Sequence, residues 1–307
     1  MQGIELGRGH TAVITGAGSG FGLELARLGA QRGLNLVLTD VQADALDAVV
    51  AALKGQGAQV AALRGDVSHS EDVQALADLC MERFGAPHLV VNNAGVGAGG
   101  LIWEHTQKDW EWVLGVNLMG VAHGVRIFTP LMLAAAKADP QWRGHIVNVA
   151  SMAGLLNAPN MGVYNVSKHA VVSLSETLYQ DLVLVSDQVR ASVLCPYFVP
   201  TGISQSHRNR PDDMKGDTRV TPSQMIAQAM VNKAVSSGKV TAADVARIVY
   251  EGVAQGQFYL YTHPQALGMV QTRLEDVVQA RNPTDPFAGK PEIGEQLKTA
   301  LRLALKA

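Results

Sequence analysis

The sequence predicts an α/β protein: a single domain built on a doubly wound, Rossmann-like parallel sheet, with a substrate-loop insertion and a C-terminal helical extension. Three observations carry that prediction. Short apolar runs of strand length alternate with helix-length amphipathic stretches along most of the chain. The first run, Thr11-Ala-Val-Ile-Thr15, enters the glycine-rich turn Gly16-Ala-Gly-Ser-Gly-Phe-Gly22, and a helix pattern follows at once. The second run, Asn35-Leu-Val-Leu-Thr-Asp40, ends in an acid eighteen residues past Gly22.

Glycines between a strand and a helix let backbone N–H groups and the helix N-terminus approach a pyrophosphate. The first helix closes at Gly33, and Asp40 stands where an acid can accept hydrogen bonds from an adenosine ribose. A helix is expected over 43–54, a strand over 59–64 and a turn at Gly65-Asp66-Val67. Ser68-His-Ser-Glu71 has the form of a capping box opening a helix that ends at Phe84. His88-Leu-Val-Val-Asn92 reads as the next strand, followed directly by Asn93-Ala94-Gly95. Thr106 and Asp109 can cap a long helix running to about Ala135, which Pro130 would kink or shorten. Asn117 inside that helix competes with its own backbone, so it calls for a kink or a tertiary hydrogen bond. A strand ending at Ser151, a helix over 163–186 and the strand Val189–Cys195 complete the alternation, and Gln257–Tyr261 reads as a last strand.

The stretch from Thr201 to about Lys239 breaks the pattern. Ser204 to Asp217 is polar, charged and without apolar period, so it reads as an inserted loop. Helices are expected again from Thr221 and from Thr241, and two more over 267–280 and 292–305. The organisation expected is thus a dinucleotide-binding and catalytic domain over 1–262, with the insertion at 201–240, and an extension over 263–307 covering either the catalytic face or a second subunit.

Composition excludes several classes. The chain has 307 residues, 47% hydrophobic, a net charge of −2 and a pI near 6.5, which gives no basic footprint for nucleic acid or an anionic membrane. No uninterrupted apolar run reaches the roughly 18 residues of a spanning helix. Met1-Gln-Gly-Ile-Glu-Leu6 has no signal-peptide pattern. Cys80 and Cys195 show neither metal spacing nor a disulfide pattern, so a reduced, cytoplasmic setting is expected. The nine histidines have no paired metal spacing, and no metal is expected.

Chemistry concentrates between Ser151 and Lys168. Tyr164 and Lys168, four apart, share one face of a helix, and a fixed positive charge beside a phenol favours the phenolate. Ser151 precedes the tyrosine by thirteen residues, at a strand end where ligands collect. Alone, Tyr-x-x-x-Lys also describes an ordinary helix tyrosine with a solvated lysine.

The combination of Thr15-Gly-Ala-Gly-Ser-Gly-Phe-Gly22, Asn92-Asn-Ala-Gly95, Asn117, Ser151 and Tyr164-x-x-x-Lys168 resembles the short-chain dehydrogenase/reductase family over roughly residues 9 to 262. The resemblance implies a nicotinamide cofactor across the strand ends, hydride transfer and assembly into homodimers or homotetramers. It gives Tyr164 the proton exchange with the substrate oxygen, and gives Lys168 the lowering of the tyrosine pKa and a grip on the nicotinamide ribose. It gives Ser151 a hydrogen bond to the substrate oxygen and Asn117 a water that links Lys168 to solvent. Cofactor contacts are implied for Gly16, Ser19, Gly20, Phe21, Gly22, Asp40, Val41, Asp66, Val67, Asn93, Ala94, Gly95, Tyr164, Lys168, Pro196, Val199 and Thr201. Tyr197 stands where the family usually has glycine, which puts the local backbone shape in question and adds a bulky wall.

NAD is the expected cofactor, because Asp40 would face the 2′-phosphate of NADP and neither the glycine loop nor Val41 offers a compensating charge; Arg64 is the nearest basic residue. NADP is the alternative. Met152, Leu155, Leu156, Met161, Tyr197, Phe198 and Ile203 flank the catalytic positions and form an apolar pocket. The substrate expected is a small-molecule secondary alcohol or ketone that is uncharged, bulky and apolar: aryl, lignin-derived or steroid-like. A reductase of carrier-bound 3-oxoacyl groups and a non-catalytic cofactor-binding scaffold are the alternatives. Trp103, Trp110 and Trp112 read as packing or subunit contacts, His145 as a satisfied strand-edge residue, and Arg208, Arg210 and Lys215 as a solvated loop or an anion clamp.

Overall fold

A computed structural model describes residues 3–215 and 220–305. Residues 216–219 of the expected insertion, 306–307 of the expected extension, and Met1 and Gln2 of the N-terminal reading lie outside the described residues.

Seven parallel strands form one sheet in the order β3-β2-β1-β4-β5-β6-β7. They are β1 (Thr11–Thr15), β2 (Asn35–Asp40), β3 (Val60–Arg64), β4 (Leu89–Asn92), β5 (Gly144–Val149), β6 (Val189–Cys195) and β7 (Tyr259–Tyr261). Period-two alternation sends successive side chains to opposite faces. Ala12 and Ile14 join one core layer with α1 (Gly20–Gln31), α2 (Ala43–Gly55) and α8 (Ala242–Gln255). Val13 joins the other with α3 (Ser70–Phe84), α4 (Gln107–Leu114), α5 (Gly120–Ala138) and α6 (Gly162–Val185). Strand order reverses between β1 and β4, and there the crevice of a doubly wound sheet opens.

The helix expected to start with a capping box at Ser68 begins instead at Ser70, with His69 as a cap that makes no side-chain bond. The Ser68 amide and hydroxyl both donate to Asp66 Oδ1, at 2.9 and 2.7 Å, so the turn captures the serine before the helix can. The Thr106–Asp109 capping box does form. The long helix after it carries a π turn at Gly115–Met119, then continues through Pro130 to Ala138. This stretch, 107–138, is long and apolar enough to cross a membrane, but it packs on the sheet through Trp112, Val113, Ile127 and Phe128.

The insertion is not structureless: Gly202–Asn209 and Asp212–Met214 form 3-10 turns that lead to α7 (Pro222–Ser236). Arg210, expected in solvent, is largely buried; its Nη1 lies 2.5 Å from Asp109 Oδ1 and its guanidinium 5.2 Å from the Trp112 ring centroid. His145 is not an edge residue. It lies fully buried inside β5, between β4 and β6, rather than at an edge. Ser192 Oγ spends its proton on Gln257 O at 2.6 Å, so His145 Nε2–H donates to that hydroxyl, also at 2.6 Å.

The tail forms α9 (Leu267–Val278) and α10 (Pro291–Ala304). Ala266 and Val270 pack on Met152, Val171 and Val172, and α10 lies on α7. Both tail helices line the large cleft at the strand ends, so within one chain the extension covers the catalytic face.

Candidate active site

A cleft of about 1900 Å³ runs along the C-terminal ends of β1, β2, β4, β5 and β6. Gly16 (φ +65°) and Gly20 (φ +54°) bend the chain into the start of α1. Ser19 caps that helix with no side-chain hydrogen bond, which leaves its hydroxyl and the first helical amides facing the cleft. A Cβ on Gly22 would fall 2.1 Å from Gly16 O, and Gly22 does not line the cleft. Its part is close packing of the helix on the loop. Thr15 and Asn93 lock this loop to β4: Thr15 Oγ1 accepts from the amides of Asn93 and Ala94 at 2.9 and 3.0 Å, while Asn93 Nδ2 donates to Thr15 O at 2.7 Å.

Asp40 closes β2 at the cleft. Oδ2 accepts from the Gly18 amide at 2.8 Å and Oδ1 from the Gln42 amide at 2.9 Å, so the carboxylate shapes the glycine loop while facing the space beside it. Arg64 pairs with Asp40 in register on β3, and its Nε donates to Val41 O at 3.1 Å. Asp66 and Val67 also line the cleft, and Asn209 in the insertion bridges to Gln42 at 3.0 Å.

Ser151, Tyr164 and Lys168 line the same cleft beyond β5. Ser151 Oγ accepts from the Ala153 amide at 3.1 Å and donates to Pro196 O at 3.3 Å, tying the ends of β5 and β6 together. Lys168 is buried; its Nζ donates to Val149 O at 2.9 Å and lies 5.8 Å from the Tyr164 ring centroid. Burial pushes the ammonium down to about 8. Burial pushes the Tyr164 phenol up, against a smaller downward pull from the Ser151 hydroxyl. The net direction is upward, against the lowering expected from Lys168.

Asn117 stands behind the cleft, fully buried at the π turn. Its Oδ1 accepts from Val96 N at 2.8 Å, and its Nδ2 donates to Val96 O and to Ser167 Oγ, both at 3.0 Å. Both reasons foreseen for a polar residue inside this helix are present, a backbone irregularity and tertiary hydrogen bonds.

Of the expected apolar pocket, Met152, Leu156, Met161, Tyr197, Phe198 and Ile203 line the cleft, as do Pro196, Val199 and Thr201. Leu155 does not; it packs into the core layer under α9. Tyr197 needs no glycine conformation: its backbone is outside the left-handed region, its N–H donates to Thr262 Oγ1 at 3.1 Å, and its ring packs on Phe198. Trp112 is buried and borders the cleft, Trp110 packs on the core, and Trp103 is exposed.

Sequence reasoning missed a buried polar chain across the sheet. Asn92 Nδ2 donates to Asn148 Oδ1 at 2.8 Å, and Asn148 Nδ2 to Ser175 Oγ at 3.0 Å. Two asparagines inside apolar strand runs were the available signal. Also missed were Arg273, Asp276 and Arg281, which bring charge to the cleft from the tail.

A parallel sheet with its crevice at the reversal point, a glycine loop opening α1 and a Ser–Tyr–Lys group at the next strand ends together define a dinucleotide-dependent oxidoreductase site. The chain belongs to the short chain dehydrogenase family, which it matches over residues 10–212. It is 31% identical over 268 residues to a CLA biosynthesis dehydrogenase/reductase of Lactiplantibacillus plantarum, covering 86% of this chain and 92% of that one. It is 32% identical over 270 residues to the 1-deoxy-11-beta-hydroxypentalenate dehydrogenase of Streptomyces exfoliatus, covering 87% and 88%. Among solved structures, a short chain dehydrogenase/reductase from Burkholderia phymatum in complex with NAD superposes with a TM-score of 0.89 at 52% identity, covering 92% of this chain and 99% of that one.

Proposed function

We propose that this enzyme interconverts a secondary alcohol and a ketone on a bulky, largely apolar substrate, using NAD(H) and Tyr164 as general acid and base. The observation that carries the reading is the convergence of Ser151, Tyr164 and Lys168 on one cleft with the glycine loop and Asp40. The loop fits a dinucleotide on its own geometry. A Cβ at Gly16 would lie 2.9 Å from Ala94 Cα, so side chains are kept out of the cradle, and the uncapped start of α1 offers amides to a pyrophosphate.

When bound, the nicotinamide supplies the hydride donor or acceptor. The remaining steps belong to the protein. Ser151 hydrogen-bonds the substrate oxygen and fixes it against Tyr164. Tyr164 takes the hydroxyl proton in oxidation and returns it in reduction. Lys168, anchored on Val149 O, holds the ribose and keeps a positive charge under the phenol. Asn117, held by Val96 and Ser167, keeps the floor beneath Lys168 in place and anchors the water path to it. The NAD complex of the Burkholderia phymatum relative and the Asp40 carboxylate favour NAD. The hydroxy compound named for the Streptomyces exfoliatus relative supports an alcohol substrate.

Homo-oligomers built on α4–α5 and α6 are part of the proposal, because these helices leave Met119, Val166 and Val183 exposed. Turnover of a panel of bulky secondary alcohols and their ketones with each nicotinamide tests the reading. NAD-linked oxidation of at least one is the expected result; cofactor binding with no turnover of any would favour the scaffold.

A further inference from the structure

The part of the cleft built by the insertion and tail differs in charge from the part that holds the glycine loop. Near the loop the acids are Asp40, Asp44 and Asp66. On the far side Lys233, Lys239 and Lys290 stand at the rim, with Arg273 further in, half-buried on α9. Two acids share that side, and neither answers Arg273. Asp276 is engaged by Arg281, whose Nε lies 3.0 Å from Oδ1, and by the Thr284 amide at 2.8 Å. Asp285 Oδ1 caps the amide of Phe287 at 2.9 Å. Arg273 has no carboxylate partner among the described residues. A positive mouth on a chain of net charge −2 is a local arrangement, not a consequence of composition.

The position of Arg273 follows from its helix. Ala266 and Val270 seat α9 on Met152, in the turn directly after Ser151. Three residues past Val270, Arg273 lies on the same side of α9, one turn further along. Its charge reaches His169 on α6, five residues beyond Tyr164. Met152, Leu156 and Met269 give the cleft apolar lining on this side, with Gln265 and Thr272 beside them. A half-buried guanidinium is costly to leave unanswered and is suited to hold a carboxylate through two parallel hydrogen bonds.

We infer that the substrate is an oxo or hydroxy acid whose carboxylate is held by Arg273, with a hydrocarbon body separating that anion from the reacting carbon. This rests on the reading of Ser151 and Tyr164 given above, and it replaces the uncharged substrate expected from sequence. The lysines of the rim draw the anion in; Arg273 sets its register against Tyr164.

The test uses the full-length enzyme saturated with NADH and two ketones of one shape, para-acetylbenzoate and para-acetylbenzamide. Calorimetry gives their Kd values and NADH absorbance their reduction rates. The acid is expected to bind about tenfold tighter than the amide, with Arg273→Gln abolishing the difference and Arg273→Lys keeping part of it. Thermal stability, measured in parallel, should move little in either variant. Equal affinity for acid and amide in the unmutated enzyme, no binding of either, or a preference that survives Arg273→Gln each overturns the inference. Selective binding of the acid without reduction would leave Arg273 in its role and instead count against the proposed reaction. Reduction of both ketones with no effect of Arg273→Gln would do the reverse.

Discussion

Arg210→Ala isolates what holds the inserted loop over the cleft. The guanidinium meets Asp109 with side-chain exposures of only 17% and 10%, donates through Nε to Met214 O at 2.8 Å, and rests on the Trp112 ring. Truncating one partner of a fully buried pair costs about 3–5 kcal/mol, because the other charge is left without compensation. Here Asp109 keeps the Thr106 amide at 2.8 Å and some solvent, so a loss of about 3 kcal/mol is expected. The pH dependence is specific. Burial raises the Asp109 carboxyl, but Arg210 and Thr106 outweigh it and hold it below its ordinary value. That stabilisation is present above the ordinary carboxylate range and is lost as pH falls through the depressed value. In Arg210→Ala burial acts with less opposition, so the deficit relative to the parent should shrink on acidification. Denaturant unfolding across pH, in a double-mutant cycle with Asp109→Asn, checks both points, and limited proteolysis checks release of the loop. A change under about 0.5 kcal/mol with unaltered proteolysis would refute the anchoring argument.

Three further outcomes are expected. NAD should exceed NADP by at least about tenfold in kcat/KM; Asp40→Ala should erode that preference and added Val41→Arg reverse it, whereas parity in the parent enzyme would show that Asp40 does not meet the ribose. Buried His145, pushed down to about 3, stays neutral in the fold while the unfolded chain takes up a proton below about pH 6.5. Stability should therefore fall as pH drops, with about 2 kcal/mol from this residue at pH 5, and His145→Gln should flatten the profile; an equal slope in both proteins contradicts the assignment. Light scattering at micromolar concentration should show a dimer or larger species, and a monomer would remove α4–α5 and α6 as an assembly surface.

Much of the site was legible because it is local in sequence. The glycine loop, the acid closing the next strand, and Tyr164 four residues before Lys168 are each set by short-range spacing, and the folded chain brings them to one cleft. What escaped depends on contacts between distant segments. Arg210 looked like a loop cation because its partner lies 101 residues away. Leu155 and Leu156 are neighbours of the same type that both pack on the core layer under α9, and only the folded backbone decides which one also lines the cleft. His145 was misplaced because an apolar run does not show where its strand sits in the sheet. The tail carried no motif at all, and its place over the catalytic face follows from how Ala266 and Val270 pack.

The central claim is that Tyr164 carries the proton in a cleft otherwise complete without it. Tyr164→Phe removes one hydroxyl from a half-buried ring and should leave folding nearly unchanged. The direct measurement is single-turnover hydride transfer in Tyr164→Phe, alongside NADH affinity by fluorescence titration. The account predicts cofactor affinity within about twofold of the parent and a rate lower by about 10²–10⁴-fold. Retention of more than about a tenth of the parent rate, with affinity intact, would contradict it.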